Sequence, residues 1–153
     1  MLIYIAADHK GFRLKNEIIG FLKQQGYDPK DFGNENYEEG DDYPDFAEKL
    51  SREIKLAAVT GEARGILICG SGAGMNIVAN KFEGVRATIG FSTDQVFDAR
   101  QEDDINVLVL ASSFLDENKA MEILKVFLKT PFSGEERHKR RIEKIKRIEL
   151  VND

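Results

Sequence analysis

The chain has 153 residues, 32% of them charged and 42% hydrophobic, a balance that supports a buried core and excludes a disordered polymer. A formal net charge of -5 argues against a general nucleic-acid partner, which needs a basic surface. A single cysteine cannot form an internal disulfide, no apolar run nears the roughly 18 residues of a membrane span, and MLIYIAADHKGF lacks the basic start of a secretory signal, so one domain over residues 1–153 in a reducing cytoplasm is expected.

Residues 2–6 form a compact apolar run, the first predicted strand. From Phe12 the apolar residues Leu14, Ile18, Phe21 and Leu22 recur at helical spacing, and Gly26 supplies the stop. Residues 27–32 are a weak second strand; Pro29 suits an edge position. Residues 33–42 form an acidic loop, and Asp42 and Pro44 mark the start of a helix carrying Phe46, Leu50, Ile54 and Ala57 inward. Residues 65–68 are the third strand, followed by the turn Gly70-Ser71-Gly72-Ala73-Gly74 and a helix expected to reach about Lys81. A fourth strand is expected over residues 85–91, a helix over 93–101, a fifth strand over 106–110 and a helix over 117–129 closed by Pro131. The last helix, residues 135–150, is densely basic and shows only a thin apolar line at Ile142, Ile145 and Ile148. It is too polar to be core all round and is expected to pack across a surface or onto a second subunit. Strands alternating with helices imply a three-layer α/β/α, Rossmann-like domain with a five-stranded parallel sheet, whose ligand lies beyond the carboxyl ends of the strands.

The sharpest constellation is the run from Ile66 to Gly74, in which an apolar strand ends at Cys69 and a glycine turn opens the next helix. Successive main-chain N–H groups of such a turn converge on an anion, and the helix N-terminus adds its positive end. A cysteine there has its thiolate favoured unless burial works the other way. Thiolate and anion hole together suit proton abstraction beside a carbonyl. The bland alternative is a buried cysteine closing a strand above a simple turn. A dinucleotide fingerprint fits poorly, because G-x-G-x-G lacks the last glycine of G-x-G-x-x-G and no acidic residue closes the next strand. A thiol redox role would need a resolving cysteine that the chain does not have. Asp8 and His9 follow the first strand directly and share the same rim; Asp8 either caps the next helix or contacts a sugar, and both roles are compatible. Arg137 and Arg141, four apart, share a helix face and could form a phosphate fork, although a basic run is commonly a solvated face.

In order along the chain stand D-H-x-G-F-x-L-K, D-Y-P, I-L-I-C-G-S-G-A-G-M-N-I-V-A-N-K-F and G-x-x-R-H-x-x-R. Together they closely resemble ribose-5-phosphate isomerase type B, relatives of the galactose-6-phosphate isomerase subunits, from Ile3 to about Ile145. The resemblance implies a homodimer, or a dimer of dimers, with sites built from both chains and no metal or organic cofactor. It implies Cys69 as the base moving a proton between C1 and C2 of a sugar phosphate, Gly70, Ser71, Gly72, Ala73 and Gly74 as the anion hole for the enediolate, Asp8 at the sugar, and His9, Arg137 and Arg141 at the phosphate end. Ser71 replaces the more usual threonine and keeps its hydroxyl.

Three departures cut deeper. Glu102 stands where the family has a ring-opening histidine, Asp103 replaces an asparagine that helps hold the enediolate, and Ser113 replaces an arginine that contributes to phosphate binding. Glu102 can still act as a general base, whereas an ionised Asp103 would repel an enediolate. Three readings follow: isomerisation of the usual pentose phosphate with Glu102 as ring opener, isomerisation of a different sugar with less reliance on phosphate, or non-catalytic binding of a sugar phosphate.

Overall fold

The computed structural model describes residues 1–59 and 62–151. Five strands, β1 (Leu2–Ala7), β2 (Lys30–Asp31), β3 (Ala63–Cys69), β4 (Ala87–Ile89) and β5 (Val107–Ala111), form one parallel sheet in the order β2-β1-β3-β5-β4. Six helices surround it: α1 (Phe12–Gln24), α2 (Tyr43–Ala57), α3 (Ala73–Ala79), α4 (Thr93–Asp103), α5 (Glu117–Lys129) and α6 (Glu136–Val151). The three-layer α/β/α arrangement expected from the alternating pattern is the one observed, and no helix among the described residues is long and apolar enough to cross a membrane.

The strands are buried on both faces because each alternates which helical layer it feeds. Ile3, Ile5, Ile66, Ile68, Leu108 and Leu110 point toward α1, α4 and α5, whereas Tyr4, Ala6, Leu67, Cys69, Val107 and Val109 point toward α2 and α3. Each helix meets the sheet with the face its spacing predicts: Leu14, Ile18 and Leu22 from α1, and Ala120, Ile123, Leu124 and Phe127 from α5. Fully burying one such large aliphatic or aromatic side chain contributes about 1.5–3 kcal/mol.

Termini follow local chemistry. Gly26 (φ 85°) closes α1 by taking the left-handed position, with Gly26 N–H donating to Lys23 O and Tyr27 N–H to Leu22 O. Ser92 and Asp116 cap α4 and α5 by accepting from the main-chain N–H of Gln95 and Lys119. Asp42 occupies the cap of α2 but makes no side-chain cap bond, and Pro44 sets the first turn instead.

Both edge strands are shorter than their sequence runs. Pro29 delays β2, which pairs with β1 only at Lys30 and Asp31, and β4 pairs with β5 only from Ala87 to Ile89. The helix after the glycine turn also stops earlier than expected, at Ala79, where Asn80 turns its side chain onto Asn76 O and both main-chain groups of Ala87. In α6, Ile142 is buried, whereas Ile145 and Ile148 are partly exposed.

Candidate active site

After β1 the chain turns through α1 toward β2; after β3 it turns through α3 toward β4 on the other side. The connections leaving the carboxyl ends of these neighbours therefore diverge, and such a switch point is where open α/β sheets take ligands in a crevice. Asp8 and Cys69 face each other across it, because Ala7 and Ile68 are in register.

Asp8 caps a single 3-10 turn over His9–Gly11, accepting from Lys10 N–H at 3.0 Å and Gly11 N–H at 3.2 Å. That turn lies flat on the end of β3: a Cβ at Gly11 would fall 2.5 Å from Ile68 O, so only glycine fits. Asp8 is 6% exposed, and burial pushes its carboxyl above the ordinary range; the Gly11 and Lys10 amides and His9 oppose the shift, and Asp41 reinforces it. The resulting acid is a better proton acceptor than an exposed aspartate.

Cys69 ends β3 inside the core layer of Leu67, Met75 and Val109, and is 4% exposed. Gly72, in the left-handed region (φ 78°), turns the chain so that its own N–H and that of Met75 point at the thiol. Two effects compete there. Burial raises the thiol and is the larger, while the two main-chain donors, then Lys10, favour the thiolate; the charge on Asp8 adds to the rise. The helix end alone favours an anionic cysteine, and the structure shows desolvation outweighing it.

The rest of the turn is accessible. Ser71 is exposed and its Oγ accepts from Ala73 N–H at 3.3 Å. Lys10 lies over Gly70 and the Tyr43 ring over Gly74, each so close that a Cβ would collide with it. These two side chains wall the turn, and neither announces itself in the sequence. Ser113 joins the same rim, its N–H donating to Gly70 O at 3.0 Å. Ser112 Oγ ties the rim together by donating to Lys10 O (2.8 Å) and lying 3.2 Å from Cys69 O.

His9 completes this rim. Its Nδ1 lies 2.7 Å from Asp41 Oδ1, and its main-chain N–H donates to the same oxygen at 3.1 Å. One ligand atom from each of Asp8, His9 and Asp41 lies within 4.8 Å of the others, a spacing that could accommodate a cation. Sequence reasoning missed Asp41, because only folding of the acidic loop brings it back to β1.

The remaining candidates lie elsewhere. Glu102 and Asp103 end α4 and are exposed at the opposite rim, where β5 begins. Four residues separate the β3 positions level with Val107 and Ala111, so about 13 Å of strand divides the rims. The tip of α4 is clamped. Arg100, 1% exposed, donates to Thr130 O, Ile105 O and Asp104 Oδ1, while Arg86 donates to the main-chain oxygens of Asp103 and Asp104. This holds Asp104 in the left-handed conformation (φ 46°), uncommon for a residue with a side chain.

Arg137 and Arg141 are exposed on α6, whose entry is joined to α4 by Ser133 N–H donating to Gln101 O. Arg137 pairs with Glu135, and His138 between the two arginines is buried against Ser133 Oγ. A hollow of about 800 Å³, lined by Asp103, Ile145 and Ile148 among others, also opens at this rim and does not include Cys69. One chain therefore brings together Cys69, the glycine turn, Asp8, His9 and Ser113, and separates them from Glu102, Asp103, Arg137 and Arg141.

Comparison with known proteins bears on this geometry. Residues 3–145 match the family model described as Ribose/Galactose Isomerase. The chain is 42% identical over 147 residues to the probable ribose-5-phosphate isomerase B of Mycoplasma genitalium, covering 96% of this chain and 95% of that one. A crystal structure of ribose-5-phosphate isomerase B from Mycoplasma genitalium, with ribulose-5-phosphate bound, superposes with a TM-score of 0.91 at 41% identity, covering 97% of this chain and 95% of that chain. Ribose-5-phosphate isomerase B from Clostridium thermocellum superposes equally well, 0.91 at 40% identity, over the whole of both chains.

Proposed function

The chain belongs to the ribose/galactose isomerase family, and from that premise we propose that it interconverts an aldose phosphate and its ketose, of the ribose 5-phosphate and ribulose 5-phosphate kind. The observation that carries the reading is the thiol of Cys69, set at the end of β3 against the main-chain N–H groups of Gly72 and Met75 and across the crevice from buried Asp8.

In this reading Cys69, as thiolate, removes the proton from C2 of the open-chain aldose. The electron pair moves into the C1–C2 bond, and the negative charge that develops on oxygen meets the N–H groups of the turn from Gly70 to Gly74, which are already oriented for it. Passage of the O2 hydroxyl proton to O1 and return of the carbon-bound proton from Cys69 to C1, as the electron pair on O2 closes the new carbonyl, give the ketose. The preset donors favour the enediolate over the neutral substrate, which lowers the barrier rather than merely tightening binding. Ser71, exposed beside the turn, is placed to hydrogen-bond a sugar hydroxyl.

The working unit in this proposal is a homodimer. Arg137, Arg141, Glu102 and Asp103 cannot reach their own Cys69 across the strands, so they would serve the rim of a second copy. Phe91, Phe114 and Tyr43 stand exposed around the Cys69 rim, apolar surface that a second chain would cover. The sugar would then lie between chains, its reacting carbons on one and its phosphate held by the arginines of the other. No single chain would need a deep hollow at the thiol.

The test is transfer of solvent deuterium to C2 of ribose 5-phosphate together with formation of the ketose. Cys69→Ala is expected to lower both by about 10³-fold or more. Absence of exchange by the wild-type protein with every pentose and hexose tried, phosphorylated or free, would remove the catalytic reading. Ser113 on the Cys69 rim favours a second reading, an isomerase that leans less on phosphate, since a hydroxyl offers a dianion no charge. A kcat/KM for a free aldose matching that of its phosphate ester would select it.

A further inference from the structure

The Cys69 rim carries a cation that the proton transfer does not use. Lys10 stands in the middle of the 3-10 turn that Asp8 caps, and both of its main-chain polar groups are tied. Its N–H donates to Asp8 Oδ1 at 3.0 Å, and its carbonyl accepts from Ser112 Oγ at 2.8 Å. Gly11 seats the same turn against Ile68 O. The root of the side chain is therefore fixed to the end of β3, while its stem and ammonium stay free to move.

The stem runs over the first glycine of the Cys69 turn. Around the point where a Gly70 Cβ would stand, Lys10 Cδ lies at 2.7 Å, Ser113 Oγ at 3.3 Å and Lys10 Nζ at 3.6 Å. The missing side chain of Gly70 thus makes room for the lysine. Lys10 is exposed, and its ammonium forms no hydrogen bond or ion pair among the described residues; Glu17 and Glu117, which line a hollow with it, do not pair with it. Its charge is felt at the thiol: burial dominates at Cys69, and Lys10 favours the thiolate less than the Met75 and Gly72 amides do.

The two ends of the turn differ. At Gly74 the neighbour is the neutral Tyr43 ring, whereas at Gly70 it is an unpaired cation beside an uncharged serine. A sugar phosphate whose reacting carbons meet Cys69 carries its dianion at the far end of its own chain. Taking that dianion out of water calls for a charged donor.

We propose that Lys10 binds the phosphate of the substrate, its ammonium standing over Gly70 beside Ser113; this rests on the isomerase reading above. The ammonium donates to the phosphate oxygens from the chain that holds Cys69, and the arginines of the proposed second copy approach from the other side. Lysine serves there as a point charge on a flexible stem. Because the contact is remote from the reacting carbons, it holds substrate and transition state alike and acts on KM rather than on kcat.

Initial rates with ribose 5-phosphate are measured for wild type, Lys10→Met and Lys10→Arg, with inorganic phosphate as a competing ligand and melting curves to verify folding. Lys10→Met keeps the stem and removes the charge. It is expected to raise both KM and the inhibition constant of phosphate about tenfold, with kcat changed less than about twofold. Lys10→Arg keeps the cation and should stay within about threefold of wild type in both. An active enzyme whose KM and inhibition constant ignore Lys10→Met overturns the proposal alone, and leaves Ser113 without a cation beside it, as the second reading above requires. A fall in kcat at constant KM also overturns it, by assigning the charge to the enediolate or the Cys69 thiolate. Equal losses in Lys10→Arg and Lys10→Met do the same, since packing over Gly70 rather than charge would then be at work. A wild-type protein inert toward ribose 5-phosphate overturns the proposal together with the reading beneath it.

Discussion

The two rims of the sheet are built in opposite ways. At the carboxyl rim the chemistry is made from main chain and buried side chains: Cys69 and Asp8 are under a tenth exposed, Gly11 and Gly72 accept no side chain without strain or collision, and Ser112 laces the strand ends together. At the amino rim the charged groups Glu102, Asp103, Arg137 and Arg141 stand in solvent on helix ends. The difference teaches that the fold of one chain fixes the Cys69 rim by itself, whereas under the proposed dimer the exposed charges of the other rim would gain a role only through assembly.

The comparison breaks most visibly if the rims act within one chain. Arg137→Ala combined with Arg141→Ala is expected to raise KM for a sugar phosphate by about 10²-fold or more, two charge-assisted contacts being lost. Mixing this variant with inactive Cys69→Ala, after dissociation and reassembly, should restore about a quarter of wild-type activity, since half the dimers then hold one complete site. No recovery on mixing would show that both rims serve the same chain. A smaller effect tests the balance at the thiol. Because burial lifts Cys69 above the ordinary thiol range, the protonated form is the inactive one, and kcat/KM should climb about tenfold per pH unit from neutrality into the alkaline range. A profile already flat at about pH 7 would mean that the main-chain donors prevail. The smallest change is structural. Gly72→Ala forces a left-handed alanine whose Cβ would sit 3.3 Å from Val109 Cγ1, and should cost about 1–2 kcal/mol, read as a fall of about 2–8 °C in Tm.

Much of the fold was legible because local signals and packing agree. The spacing of Ala120, Ile123, Leu124 and Phe127 defined α5 to the residue, and Gly26 ended α1 by the left-handed turn it suggests. The edge strands were not legible in length, because pairing with a single neighbour ends where the partner's register ends, and no residue type records that. At the site, the Cys69–glycine turn and Asp8-His9 could be read as sharing a rim, since both directly follow strands. Asp41 could not: its contact with His9 spans 32 positions and depends on how the acidic loop folds back. Nor could the burial of Cys69, which depends on Met75 and Val109 closing over a position that the sequence places only at a strand end.

The clamp beneath Glu102 has a consequence for how such a site can drift. Arg100 fastens the last turn of α4 to the start of β5 and the exit of α5 through oxygens, two of them main-chain, which remain whatever side chain occupies position 102. If Glu102 serves the proposed dimer site, that position would be a fixed bracket able to carry either an imidazole or a carboxylate. The chain could trade one acid–base group for another there without disturbing its backbone, so a change in sugar preference would require no remodelling of the scaffold.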